Sequence, residues 1–258
     1  LFFKRRKVPK KDLGFKKEMI MDENIIIEPM TEEFILWRCL HYGPLSIRNI
    51  DKWPPDSPIA WERYHTRNVP LLAKLTRIYG ACAILACVDK QIVGQLRFYP
   101  KFVSNMEGAG GLCLLQNFPN GPADDFADRD FPPLPHLEDK TLAIHCLMTG
   151  SPLQKENPYQ RKGLGTRMVE ALIRWAGTNG WNSIEVDAFE DLPIIYEITG
   201  SAGVTFWKKL GFSLADRHPH PLLQERDEFV GTLEEQAKSH GIPPDKARDR
   251  IVMRFDLA

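Results

Sequence analysis

The stretch that most constrains this chain is 157–176. A polar turn, Asn157-Pro158-Tyr159-Gln160-Arg161-Lys162-Gly163-Leu164-Gly165-Thr166, runs straight into Arg167-Met168-Val169-Glu170-Ala171-Leu172-Ile173-Arg174-Trp175-Ala176. Leu164, Met168, Leu172 and Ala176 recur every four residues, Val169 and Ile173 widen the stripe, and Arg167, Glu170 and Arg174 lie off it. That spacing predicts an amphipathic helix laid on a core. The first turn of a helix carries amides without intrahelical acceptors and a partial positive charge, so it can hold a phosphate or pyrophosphate. Here the turn brings Gly163, Gly165, Arg161 and Lys162 to that terminus. Glycine leaves the amides open to an anion that a Cβ would keep away. Two other phosphate loops are excluded. Lys162 precedes Gly163 and no glycine stands at the upstream position a Walker loop needs. Met168 occupies the third glycine position of a dinucleotide fingerprint, and the nearest apolar strand ends near Met148, too far upstream.

What fits is Q/R-x-x-G-x-G/A, read as Gln160-x-x-Gly163-x-Gly165. Ser183-Ile184-Glu185-Val186-Asp187-Ala188-Phe189 alternates as a strand, and Thr141 to Met148 reads as a strand upstream of the turn. Val204-Thr205-Phe206-Trp207-Lys208-Lys209-Leu210-Gly211-Phe212 ends in an aromatic-x-K-L-G-F pattern. The order strand, loop, helix, strand, helix, Leu-Gly-Phe, strand resembles the GNAT superfamily of acyl-CoA-dependent N-acetyltransferases across about residues 90–219, and more loosely across 24–40 and 249–257. The resemblance implies an α/β fold: a mixed, strongly twisted sheet with helices on both faces, splayed where the cofactor enters. It also implies direct transfer of an acetyl group from acetyl-CoA to an amine.

Length and composition bound the rest. At 258 residues the chain can bury a substantial core and leaves room for insertions. Basic and acidic residues number 34 each, which argues against a general nucleic-acid binder. The five cysteines form no C-x-x-C pair, so reduced thiols in a cytoplasmic protein are expected. No apolar run is long enough to span a membrane, and Lys4-Arg5-Arg6-Lys7 follows too closely on Leu1-Phe2-Phe3 for a secretory signal. Residues 1–19 read as a basic mobile arm, and 20–258 as one acetyltransferase-like domain with insertions at about 119–139 and 220–248.

Along the chain, Asn24 to Met30 reads as a strand and Thr31 as the cap of a following helix, with Glu32 and Glu33 in its first turn. Prolines make 41–58 a loop. A helix over Ala60 to Tyr79 is expected to be interrupted near Pro70. Ala81 to Val88 and Gln91 to Val103 form a hairpin turning at Asp89-Lys90, and Leu112 to Phe118 can add a strand. The 119–139 insertion is rich in Pro and Asp; it is read as a solvated loop or as a rim drawing a cationic acceptor. Phe212 to Arg217 reads as a strand, 222–240 as a polar helix, and Arg250 to Leu257 as the closing strand.

The resemblance carries roles onto particular residues. Gln160, Arg161, Lys162, Gly163, Leu164, Gly165 and Thr166 would hold the CoA pyrophosphate. Leu147 and Met148 would lie by the acetyl group at the carboxyl end of the 141–148 strand. Strict alternation puts Leu142, Ile144, Cys146 and Met148 on one face and Thr141, Ala143, His145 and Leu147 on the other, unless a bulge reverses the parity. His145 can relay the amine proton, as histidines on this strand do in the serotonin N-acetyltransferase type, or serve as a structural histidine. Both readings stand. Trp207 falls where many members carry a tyrosine that protonates the leaving thiolate. Indole has no accessible acid, so Trp207 is expected to pack beside the cofactor. Tyr196 can supply the missing acid or pack as an aromatic. Cys146 is read as a buried apolar thiol, because no activating base accompanies it. His218-Pro219-His220 lacks a third ligand, so no metal is expected. Asp187 and Glu190 can bind substrate or be solvated strand-end carboxylates. The acceptor is a small-molecule or peptide amine, with no nucleic-acid or membrane partner. Two alternatives remain: a non-catalytic acetyl-CoA sensor or scaffold, and a transferase for another acceptor or acyl chain.

Overall fold

The computed structural model describes residues 24–40, 45–49, 61–105, 130–151, 157–199, 201–220, 223–224 and 228–257. The expected arm at 1–19, the strand at Leu112 to Phe118 and most of the 119–139 insertion lie outside the described residues.

Eight strands form one sheet: β1 (Ile26–Pro29), β2 (Leu45–Ser46), β3 (Ala83–Val88), β4 (Gln91–Pro100), β5 (Thr141–Thr149), β6 (Ser183–Ala188), β7 (Ser213–Pro219) and β8 (Asp249–Asp256). Their order is β1-β3-β4-β5-β6-β8-β7, with β2 on β4. Among the described residues only β5 and β6 pair in parallel; the other pairs are antiparallel. The β3–β4 turn places Asp89 and Lys90 at positive φ, the handedness a two-residue hairpin needs. The closing strand β8 inserts between β6 and β7, so chain order and sheet order part there.

Two faces follow from the ladder, because residues opposite each other in antiparallel strands share a face. On one face lies α3 (Leu164–Thr178), which buries Leu164, Met168, Val169, Leu172 and Ala176, the predicted stripe. Its Trp175 packs on Phe98 of β4, with ring centroids 5.1 Å apart. The same face carries α5 (Val204–Lys209), whose Trp207 stacks on Phe212, which in turn meets Phe255 of β8. On the other face lie α1 (Trp61–Tyr79), reached through Trp37, and α2 (Lys101–Asn105). Helices therefore cover both faces of a mixed sheet, as expected.

Three expectations need correction. The 31–40 segment is not a helix. Ile35 to Leu40 are all buried, a run that leaves no solvent-facing side for a helix to show. Its carbonyls are bonded by side chains instead: buried Arg97 donates Nη2–H to Leu36 O and to Arg38 O at 2.8 Å, and Asn68 donates to Trp37 O at 3.1 Å. Thr31 only closes a turn, accepting from Phe34 N at 3.2 Å. Second, α1 runs through Pro70 without interruption, held by Leu71, Leu72 and Leu75 in the core. Third, β4 ends at Pro100, and Phe102 and Val103 belong to α2.

A second apolar cluster sits apart from the main core. Leu192, Ile194 and Ile195 of the α4 region (α4, Pro193–Thr199) pack with Leu233 and Ala237 of α6 (Glu228–Ser239) and Ala247 of α7 (Pro244–Ala247). Gln236 Oε1 accepts from Ile194 N at 3.0 Å. The 220–248 insertion and the stretch around Tyr196 thus fold onto each other.

Candidate functional site

The site starts from the β5 backbone. In the β4–β5 ladder Arg97 faces Cys146 while the next residue, Phe98, faces Ile144, so His145 is the extra residue of a bulge. This corrects the strict alternation. Leu142 and Ile144, opposite Pro100 and Phe98, look toward α3, and so does Leu147, opposite Leu96. Cys146 and Met148 look toward the 31–40 segment, where both meet Cys39. The parity reverses at His145.

The bulge coincides with a parting of strands. Parallel pairing of β5 with β6 runs from Thr141↔Ser183 to Ile144↔Val186 and stops, although β5 continues to Thr149 and β6 to Ala188. Beyond Ile144 the β6-side edge of β5 has no strand partner among the described residues. An edge with exposed backbone donors and acceptors can bind an extended, amide-bearing chain.

The glycine turn stands at the end of that opening. Gly163 is the N-cap of α3 in the left-handed region, φ 78°, and no side chain caps the helix. A Cβ on Gly163 would meet nothing within 4 Å among the described residues. Arg161 also has positive φ, and Arg161 and Lys162 are exposed. Gly165, in the first turn, lies 3.7 to 3.8 Å (from a built Cβ) from Leu147 Cδ2, Phe206 Cζ and Thr149 Cγ2. Among the described residues, the helix terminus thus presents amides without a side-chain cap, and two exposed cations, beside the end of β5. That donor set suits a pyrophosphate.

Asn157, which sequence reasoning gave no role, fixes the turn. Its Nδ2 donates to Thr149 O at 2.5 Å and its Oδ1 accepts from Tyr159 N at 3.0 Å, an Asx turn that Asn-Pro could have signalled. Gly150, at φ 69°, is required beneath it, since a Cβ there would fall 2.2 Å from Asn157 Oδ1. Gln160 Nε2 donates to Tyr196 OH at 2.9 Å, and the Arg161 guanidinium lies 5.7 Å from the Tyr196 ring centroid. Tyr196 therefore belongs to the glycine turn and is 40% exposed.

The other expected residues are distributed as follows. Leu164 is core, 2% exposed. Gly165 and Thr166 are half-buried in the first turn. Trp207 is 2% exposed, boxed by Phe206 and Phe212, and its indole N–H has no hydrogen-bond partner among the described residues. His145 is half-buried, its ring 6.1 Å from that of Tyr99. Asp187 meets Arg250 at 3.3 Å and Glu190 meets Arg217 at 2.6 Å, so each carboxylate already has a cation. His218 accepts from Arg250 Nε at 2.9 Å. His220 packs on Phe189 and is held below the ordinary imidazole range, first by burial and then by Arg250, with Asp187 opposing.

No family model matches the chain. No curated protein matches it either. Solved structures do. A GNAT family acetyltransferase from Elizabethkingia anophelis, with acetyl-CoA bound, is 14% identical over 91% of this chain and 99% of its own, with a TM-score of 0.39. The ribosomal-protein-S18-alanine N-acetyltransferase from Escherichia coli is 10% identical over 91% and 94%, with a TM-score of 0.39. The Bacillus subtilis acetyltransferase in complex with CoA is 15% identical over 72% and 84%, with a TM-score of 0.38. The chain's own topology, with parallel β5–β6 pairing that ends at a bulge, α3 starting at the glycine turn, and β8 inserted beside β6, makes its fold GNAT-like.

Proposed function

We propose that this chain is an acetyl-CoA-dependent N-acetyltransferase. The observation that carries the reading is the open N-terminus of α3 at Gly163, set beside the stretch of β5 that has left β6. Acetyl-CoA supplies a pyrophosphate, an amide-bearing pantetheine and an activated acyl group. The amides of the α3 first turn, with Arg161 and Lys162, meet the pyrophosphate. The β6-side edge of β5 beyond Ile144 meets the pantetheine amides, and Leu147, on the α3 face, lines the path between them. Met148, on the other face, offers its backbone to this path and its side chain to Cys39. Leu164 anchors the turn from the core, and Trp207 supports it from the aromatic stack.

Transfer to an amine needs three acts. An alkylammonium of pKa about 10.4 must lose a proton before it attacks. The oxyanion that forms needs hydrogen-bond donors, and the β5 backbone offers them. In this reading His145, at the bulge where the strands part, accepts the amine proton. The leaving thiolate, of ordinary pKa about 8.5, departs without full protonation, so Trp207 in place of an acid is tolerable. The acceptor is an amine, small-molecule or peptide.

Trp207 also favours a second reading, an acetyl-CoA binder that does not turn over. Acetyl-CoA with a panel of small amines and peptide N-termini separates the two. Amine-dependent release of free thiol supports the enzyme; saturable acetyl-CoA binding with no release from any amine supports the sensor.

A further inference from the structure

Three sulfurs and one amide meet where the 31–40 segment crosses β5. Cys39 Sγ lies 3.8 Å from Cys146 Sγ and 3.4 Å from Met148 Sδ. Gln95 of β4 donates Nε2–H to Cys39 Sγ at 2.8 Å and reaches Cys146 Sγ at 3.6 Å. Neither cysteine is in a disulfide.

We propose that Cys39 and Cys146 are a modification site for low-molecular-weight disulfides such as oxidised glutathione, and that they close into a reversible disulfide latching the 31–40 segment onto β5. Closure from the present separation to an S–S bond of about 2.05 Å requires a movement of under about 2 Å. Cys39 lies in a segment without helix or strand, and Cys146 adjoins the bulge where the ladder slips. The two residues also differ in exposure: Cys39 is 1% exposed, whereas Cys146 is half-buried. The Gln95 amide is aimed at the Cys39 sulfur, and Cys39 neighbours the Arg38 guanidinium in sequence. Burial together with Glu28 pushes the Cys87 thiol up to about 11.

The exchange runs in two displacements. The Cys146 thiolate attacks one sulfur of the reagent, forming a mixed disulfide and releasing one thiolate. The Cys39 thiolate then attacks the Cys146 sulfur and releases the second. Each cysteine gives up one proton and one electron, and the reagent is reduced to two thiols. Excess thiol reverses both steps. The proposal stands whether or not the chain transfers acyl groups.

The folded full chain is incubated with oxidised glutathione, quenched in acid, alkylated under denaturing conditions, digested and mapped by mass spectrometry. The expected product is a peptide pair joined through Cys39 and Cys146, lost on reduction, with Cys82 and Cys87 alkylated. Cys39→Ser, confirmed folded by circular dichroism, should stop at glutathione on Cys146, and Cys146→Ser should leave Cys39 alkylated. The proposal is overturned if the parent keeps both thiols alkylatable, if it retains glutathione on Cys146 with Cys39 alkylated, or if either links to Cys82, Cys87 or Cys113.

Discussion

A Cβ built on Gly165 would lie 3.7 Å from Leu147 Cδ2, so the first turn of α3 and the diverging end of β5 form one wall. Sequence separation hides this contact; the β5-to-α3 connection creates it. Asn157 holds that connection to Thr149, and Gly150 makes room for the hold. Phosphate-binding amides and an open strand edge thereby fall within one continuous surface.

The first prediction concerns the support beneath that surface. Arg97→Leu would leave the Leu36 and Arg38 carbonyls buried without their donor, at about 1–3 kcal/mol for each. Urea unfolding should show a loss of about 2–6 kcal/mol. A change within about 0.5 kcal/mol, the range of an ordinary surface substitution, would mean the segment is held by other means.

Tyr196 offers a sharper test. If its hydroxyl positions Gln160 at the pyrophosphate turn, Tyr196→Phe should raise KM for acetyl-CoA by about two- to tenfold, one hydrogen bond's worth, with kcat unchanged. S-acetyl-pantetheine has no pyrophosphate, so with it the variant should match the parent. A slower kcat with both donors would instead assign Tyr196 to thiolate protonation. Trp207→Phe, which removes an N–H that has no partner among the described residues, should keep most of the activity.

His145→Ala should lower the rate of transfer about a hundredfold or more while CoA affinity stays near that of the parent. Because higher pH deprotonates more of the free amine, the deficit should shrink on the alkaline side. A rate equal to the parent's at every pH would return His145 to a structural role.

The legible and illegible parts of the chain divide along a physical line. The α3 stripe, the glycine turn and the β3–β4 hairpin are local patterns, and each formed as its periodicity or turn chemistry required. The 31–40 segment misled because Thr31-Glu32-Glu33 is a good helix start, while Arg97, far along the chain, offers its carbonyls better partners. The sequence of β5 allowed a bulge without locating it at His145, because alternation along one strand cannot show where its register with β4 slips. The placement of Tyr196 depended on α6 and α7, whose docking onto α4 is a tertiary event that no short window encodes.

His220 gives a prediction about pH. Its folded pKa is depressed, chiefly by burial, so the unfolded chain takes up the proton first as pH falls. The stability tied to neutral His220 is therefore full above its unfolded value of about 6.5 and is lost as pH drops through the lower, folded value. Thermal melts should show that His220→Phe loses less stability than the parent between about pH 7.5 and about pH 5. Parallel losses in the two proteins would remove His220 from the acid response.

The central claim is that the α3 terminus binds the CoA pyrophosphate, and calorimetric titration of CoA into the parent and Gly163→Ala tests it most directly. The new methyl would meet nothing within 4 Å among the described residues, and its left-handed backbone cost of about 1–2 kcal/mol can be checked by melting each protein first. Saturable binding by the parent, weakened about tenfold or more in the folded variant, is the predicted result. Equal affinities, or a folded parent that takes up no CoA, would contradict it.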